Sequence, residues 1–157
     1  GDKNLSAKIA ELLMPTLVFP SLTFAADLIP EYQGAEGKTC KWEILEDVAP
    51  ATGTFDFIPF LEGDESSIAG TEMRKRALST KYQANRGLSD AKYLLKHQEE
   101  IPASLRGKYL VFAGTLLRDP DGRLRVAYLF WNGDAWVLIF RWLAGDWYGN
   151  SRLARRK

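Results

Sequence analysis

Cysteine and histidine are almost missing from this chain: Cys40 and His97 each stand alone among 157 residues. A single thiol excludes an intrachain disulfide and a thiolate cluster for zinc or iron–sulfur, and a single imidazole excludes a histidine-rich metal site. Any cysteine or serine hydrolase would have to use His97. It falls one position off the inner stripe of its helix, and there is no Gly-x-Ser-x-Gly elbow, so no catalytic residue is assigned. Glycine-rich phosphate loops are missing as well; neither Gly-x-Gly-x-x-Gly nor Gly-x-x-x-x-Gly-Lys-Ser/Thr occurs, and no cofactor is expected. A long apolar run is lacking too. The least polar stretch, 12–29, contains Pro15, Pro20 and Asp27, which break a spanning helix and raise its insertion cost, so no membrane span is expected.

An excess of either charge is also wanting. Twenty-one basic side chains balance 20 acidic ones to a net +1, which gives no overall field to steer a polyanion. The clusters Arg74-Lys75-Arg76 and Arg152, Arg155, Arg156, Lys157 read as a solvated helix face and a basic tail, and the balance speaks against nucleic acid. Compartment is left open. The chain opens Gly1-Asp2 rather than on methionine, as expected if a signal, transit sequence or further domain once preceded a soluble protein.

What is present is hydrophobic side chain in quantity. At 46% hydrophobic, 157 residues suit one domain that buries roughly two-thirds of its unfolded surface. Its strongest signal lies between Tyr109 and Leu143: three β-branched and aromatic runs divided by Asp119-Pro120-Asp121-Gly122 and Asn132-Gly133. The first turn suits a type I turn with a glycine bulge and the second a two-residue hairpin, so the spacing predicts an antiparallel meander.

Upstream, Leu5, Ile9, Leu12 and Leu13 predict an N-terminal helix ended by Pro15, with a strand piece at Leu22-Thr23-Phe24 and a loop over 30–38. Strands are expected over 39–48 and 54–61, the second an edge because Pro59 cannot donate to a ladder. An acidic loop over 62–70 precedes a helix over 71–86, capped by Thr71 and stopped at Gly87. A second helix over 89–100 takes Ser89 as cap, a staple between Leu88 and Tyr93, and an inner stripe of Ala91, Leu94, Leu95 and Gln98. The expected fold is therefore a single α+β domain over 1–157, in three parts at 1–53, 54–108 and 109–157. An antiparallel sheet of about five strands, built on the meander, packs on the helix pair, with the N-terminal helix added. The order of elements over 54–157 resembles the layout of C-type-lectin-like domains, without their disulfides, and no site residue is carried over.

The unusual feature is aromatic density: four of the five tryptophans lie between Trp131 and Trp147. Trp136, Leu138, Phe140 and Trp142 alternate with Val137, Ile139, Arg141 and Leu143, so both faces of that strand are apolar. Helices and other strands are expected to cover both faces, leaving loops for recognition. The candidate binding residues are Trp131, Asn132, Asp146, Trp147, Tyr148, Asn150 and Arg152. For Trp147 two positions compete: a recognition ring on a rigid turn, or a core plug. The carboxylate pairs Glu46-Asp47, Asp64-Glu65, Glu99-Glu100 and Asp119 with Asp121 read as strand neighbours, solvated groups or turn builders, and no metal site is assigned. The favoured function is a non-enzymatic interaction domain that binds a protein partner or itself. Its alternatives are a carbohydrate or small ligand on exposed Trp and Tyr, and a hydrolase with a dispersed carboxylate site.

Overall fold

The computed structural model describes residues 31–33 and 39–157, with side chains from Trp42 onward. The expected N-terminal helix, the strand piece at Leu22-Thr23-Phe24 and the Cys40 side chain lie outside the described residues. In chain order the strands are β1 Glu31–Gln33, β2 Thr39–Lys41, β3 Glu43–Glu46, β4 Phe55–Ile58 and β5 Ser67–Ala69. After them come α1 Gly70–Ala77 and α2 Leu88–Lys96, then β6 Tyr109–Arg118, β7 Leu124–Trp131, β8 Trp136–Trp142, β9 Asp146–Tyr148 and β10 Ser151–Arg156. Among the described residues the fold is mixed α and β, with two α-helices and a mainly antiparallel six-stranded sheet in the order β4-β10-β6-β7-β8, and β3 on β6.

The three-stranded antiparallel meander is present, but its second turn is not the two-residue Asn132-Gly133 hairpin. Trp131 pairs with Trp136, residues 132–135 make the connection, and Gly133 rather than Asn132 has positive φ. β6, β7 and β8 pair antiparallel in sequence order, and the turn glycines Gly122 and Gly133 have φ of 84° and 107°. Beside it the tail expected at 151–157 is instead β10, parallel to β6 and antiparallel to β4, inside the sheet. Leu153 and Ala154 go to opposite faces while the arginine stems run past them to carbonyl and carboxylate partners, which is how a basic run can be a core strand. β6 shares its second edge between β10 at Tyr109–Val111 and β3 at Leu116–Arg118.

Two apolar layers sandwich the sheet. Leu88, Ala91 and Leu94 of α2 meet Leu110, Phe112, Leu117, Leu129 and Trp136 on one face. On the other, Met73 and Ala77 of α1, Ile68 and Trp147 meet Val111, Ala113, Val126 and Leu153. Both faces of the meander are thus covered, and they are covered by different elements. Between Phe112 and Leu117 the β6 register shifts and the alternation changes phase, so that Leu117 joins the layer of Leu110 and Phe112 while Leu116 joins that of Val111 and Ala113.

Several local expectations are corrected. Residues 31–33, taken as loop, pair with β2, and 67–69 in the acidic loop pair with β9. α1 starts one residue before Thr71, has no side-chain cap, and ends at Ala77 rather than 86. There the Ser79 hydroxyl takes the Arg76 carbonyl at 2.6 Å, a side-chain competitor for the helix bond. Gly87 does not close that helix; it is the N-cap of α2, and Asp90, not Ser89, supplies the capping oxygen, accepting Gly87 N–H at 3.0 Å. The staple is absent because Tyr93 is exposed and stacks on His97 instead. Among the described residues no helix is long and apolar enough to cross a membrane.

Candidate binding site

The turn between β6 and β7 is built by one buried aspartate. Asp119 Oδ1 accepts the N–H groups of Asp121 and Arg123, both at 2.9 Å, and its Oδ2 accepts Arg125 Nε at 2.9 Å. Burial raises the Asp119 pKa, but the N–H donors and the Arg125 guanidinium outweigh it and hold the carboxyl below the ordinary 3.8. Anchored so, Arg125 reaches from β7 across β8 to donate to the Phe140 carbonyl at 2.8 Å.

That carbonyl faces the open edge of the sheet. Leu143 N–H bonds Leu124 O and Asn132 N–H bonds Ala135 O, so the odd residues of β8 bond β7 and the even ones point their backbone groups outward. Gln98 caps the outward groups of Trp136, accepting its N–H at 2.9 Å and donating to its carbonyl at 3.2 Å. Side chains therefore blunt two points on an edge that would otherwise template strand pairing.

Two guanidiniums lie against the Trp142 ring, Arg123 at 4.1 Å and Arg125 at 5.3 Å from its centroid. Arg125 also lies 5.1 Å from the Trp42 ring, which meets Phe140 edge-on at 5.4 Å. Exposed contacts of this kind contribute about 0.5–1 kcal/mol each. Trp142 remains 46% exposed. It forms one wall of a cavity of about 420 Å³ completed by Thr71, Arg123, Leu124, Leu143 and Ala144. Among the described residues, Thr71 and Arg123 bring a hydroxyl and a guanidinium to that lining, beside the indole N–H of Trp142. Among the described residues the lining offers an apolar wall beside an indole.

Leu143 links this cavity to the core. Its carbonyl accepts Trp147 Nε1–H at 3.1 Å, and a Cβ on Gly70 would sit 1.7 Å from the same oxygen, so only glycine lets α1 start this close. Trp147 is 0% exposed, with Arg141 4.2 Å from its ring centroid, and so takes the core position of its two alternatives.

The other sequence-derived candidates fall into two groups that no hydrogen bond or ring contact joins. Trp131 is half-buried, edge-on to Trp136 at 5.8 Å, with Arg106 3.9 Å from its ring; Asn132 Oδ1 accepts Asp134 and Ala135 N–H and shapes the hairpin. At the β9–β10 corner, Asp146 gives its carbonyl to Arg141, Asn150 gives its carbonyl to Tyr109 N–H, and Arg152 donates to Gly149 O and Ser151 O. Tyr148 is 51% exposed. Trp142, Arg123 and Arg125 were not among the candidates, although the alternation Arg-Leu-Arg at 123–125 beside Trp142 was readable once the register was known.

A second polar cluster brings together residues far apart in sequence. Thr115 Oγ1 donates to Asp47 Oδ1 at 2.7 Å and accepts Leu88 N–H at 2.8 Å. Asp90, 1% exposed, accepts Gly87 N–H and Arg86 Nη1 on Oδ2 and Ala51 N–H on Oδ1. Burial pushes both carboxyls above their ordinary value, and the Asp90 charge adds to the rise at Asp47, whose buried Oδ2 has no partner. Neither residue lines the Trp142 cavity. Their bonds fasten the segment 47–51 to the bulge of β6 and the start of α2, a structural use of two carboxylates. His97, Glu99 and Glu100 gather at the surface, where Tyr93 donates to Glu100 at 2.7 Å.

Compared with known proteins, the chain matches no family model, no curated protein and no solved structure.

Proposed function

We propose that this chain is a non-enzymatic binding domain, and that it takes a small ligand with a flat apolar body into the cavity beside Trp142. The observation that carries this reading is the half-exposed Trp142 ring, held against two guanidiniums and forming the wall of a cavity of about 420 Å³. Small-molecule sites are typically about 300–1,000 Å³, mostly apolar, with a few polar groups to orient the ligand. Leu124, Leu143 and Ala144 supply the apolar lining, and Thr71 and Arg123 the orienting groups. Rings already fixed by neighbours lose little entropy on binding.

The test uses indole and toluene as probes, with amide and indole NMR shifts as the readout. Shifts confined to Trp142, Leu124 and Thr71, and abolished in Trp142→Ala, support the reading. Shifts scattered over the surface, or unchanged in the variant, count against it.

A protein partner, or a second copy, is the other reading. What favours it is the outward backbone of Leu138 on the β8 edge, unpaired among the described residues and next to exposed Ile139. The large exposed apolar side chains, Leu45, Leu78, Tyr93, Ile139, Trp142 and Tyr148, are scattered, and the two that share β8, Ile139 and Trp142, alternate to opposite faces, which suits a pocket better than one flat interface. Sedimentation across a concentration series separates the two, since self-association would give a concentration-dependent mass.

A further inference from the structure

Of the eleven arginines, every one but Arg156 spends its guanidinium on another described residue. Arg74, Arg76 and Arg118 hold glutamates, Arg86 and Arg155 hold aspartates, and Arg106 and Arg141 lie on tryptophans. Arg152 is tied to carbonyls, and Arg123 and Arg125 serve the Trp142 wall. Arg156 makes none of these contacts, and its place in the fold is specific. It lines a cavity of about 320 Å³ at the opposite edge of the sheet, together with Asp56, Lys81, Gln83, Arg155 and Lys157.

We infer that this cavity is a site for a phosphate-bearing small molecule. Three separate segments build it: β4, the turn after α1, and the end of β10. Among the described residues, four basic side chains line it against one acidic side chain, that of Asp56. That carboxylate is already committed, since Asp56 faces Arg155 in the register and holds it at 3.0 Å. Lys81 is tied to Glu62 at 3.1 Å but keeps a largely exposed side chain, and Arg156 and Lys157 have no carboxylate among the described residues. The excess of positive charge is thus concentrated on one side of one cavity in a chain whose overall charge is nearly balanced.

Backbone strain falls at the same place. Gln83 is the one non-glycine residue with positive φ among the described residues, at 49°. That bend brings the chain back after Ser79 and carries Lys81 and Gln83 to the cavity wall. A lone carboxylate would satisfy one guanidinium and leave the others repelling. A phosphate group, with several oxygens and up to two charges, meets a guanidinium fork and ammonium groups together. An open cavity also implies binding that weakens as salt rises.

The experiment titrates the whole chain with sodium tripolyphosphate, inorganic phosphate and sodium sulfate at matched ionic strength, read by calorimetry and thermal shift. Tripolyphosphate is expected to bind at least about tenfold more tightly than sulfate. The double variant Arg156→Gln/Lys157→Gln should lose at least about tenfold of that affinity with an unchanged melting temperature, and Lys96→Gln, a cation on α2, should lose none. Flotation with phosphatidylcholine vesicles, with and without phosphatidylinositol bisphosphate, identifies the source of the phosphate: capture only by the phosphorylated vesicles assigns a lipid headgroup, and tripolyphosphate binding without capture assigns a soluble compound. Equal effects of sulfate and tripolyphosphate, or full affinity in the double variant, overturn the inference.

Discussion

Asp119 and Asp90 are both buried aspartates that accept backbone N–H groups and an arginine, yet their pKa values move in opposite directions. Asp119 sits in a tight turn whose two N–H donors and Arg125 crowd one carboxylate, and the donors win over burial. Asp90 lies beneath the segment 47–51, where burial wins over Ala51 N–H, Gly87 N–H and a longer Arg86 contact of 3.4 Å. Asp47, a second carboxylate nearby, adds its own buried charge to the same cluster. Each carboxylate accepts three donors, so their count does not separate the two; Asp119 has all three at 2.9 Å, whereas Asp90 lies deeper and its arginine is the more distant partner. Asp119 organises the arginines at the Trp142 cavity, whereas Asp90 and Asp47 organise the chain itself.

The largest effect should come from Asp90→Ala. It leaves Arg86 buried without its carboxylate and orphans two backbone N–H groups, at a cost of about 3–5 kcal/mol in urea unfolding. A cost near zero would mean that the segment 47–51 is held by something other than this cluster. Asp119→Ala comes next, at about 1–2 kcal/mol, because two turn N–H groups can turn to water. Its distinctive readout is at the cavity: with Arg125 released, Trp142 fluorescence should shift toward that of a solvated indole. An unchanged spectrum would separate the turn from the site.

Trp142→Ala should cost about 1 kcal/mol, the contact of a half-exposed ring with its guanidiniums, and should remove probe binding. A loss several times larger would make the ring core, and the cavity a packing defect. The smallest change belongs to Asp47→Asn. The amide carbonyl still accepts from Thr115 and Val48, and a buried charge disappears, so at neutral pH stability should hold or rise by up to about 1 kcal/mol.

Acid titration sharpens the contrast, because the two corners carry opposite signs. The folded-state pKa of Asp47 lies above the ordinary 3.8, so its favourable contribution is complete below that value and is lost as pH rises through the raised one. The gain from Asp47→Asn should therefore shrink as pH is lowered. For Asp119 the folded value is depressed, so its stabilisation is present above 3.8 and is lost as pH falls through the depressed one. The cost of Asp119→Asn should be full at neutral pH and fade in acid. Parallel curves for the two variants would show that the aspartates do not differ in environment.

The meander was legible because strand alternation is local and each run is long enough to declare its period; both turns place a glycine at positive φ, although the second spans 132–135 rather than the Asn132-Gly133 pair. The covering of both faces followed from the same alternation. The end of α1 was misjudged, because one hydroxyl, that of Ser79, competes for a carbonyl in a way composition does not reveal. Among the candidate site residues, Asn132 shapes a turn, Tyr148 lies exposed on β9 rather than in the expected aromatic turn, and Trp147 went to the core.

What the sequence determined by itself was the sheet's central hairpins, the amphipathic stripe of α2 and the shortage of groups for thiol or histidine chemistry. Tertiary structure alone decided that Ser-Arg-Leu-Ala-Arg-Arg is an inner strand, that Asp47 meets Asp90, and that Arg123 and Trp142 frame one cavity while Arg156 enters another. The reason is sequence separation. Spacing along a chain reports neighbours a few residues apart, but Asp56 meets Arg155 across 99 positions, and no local period encodes a partner that distant.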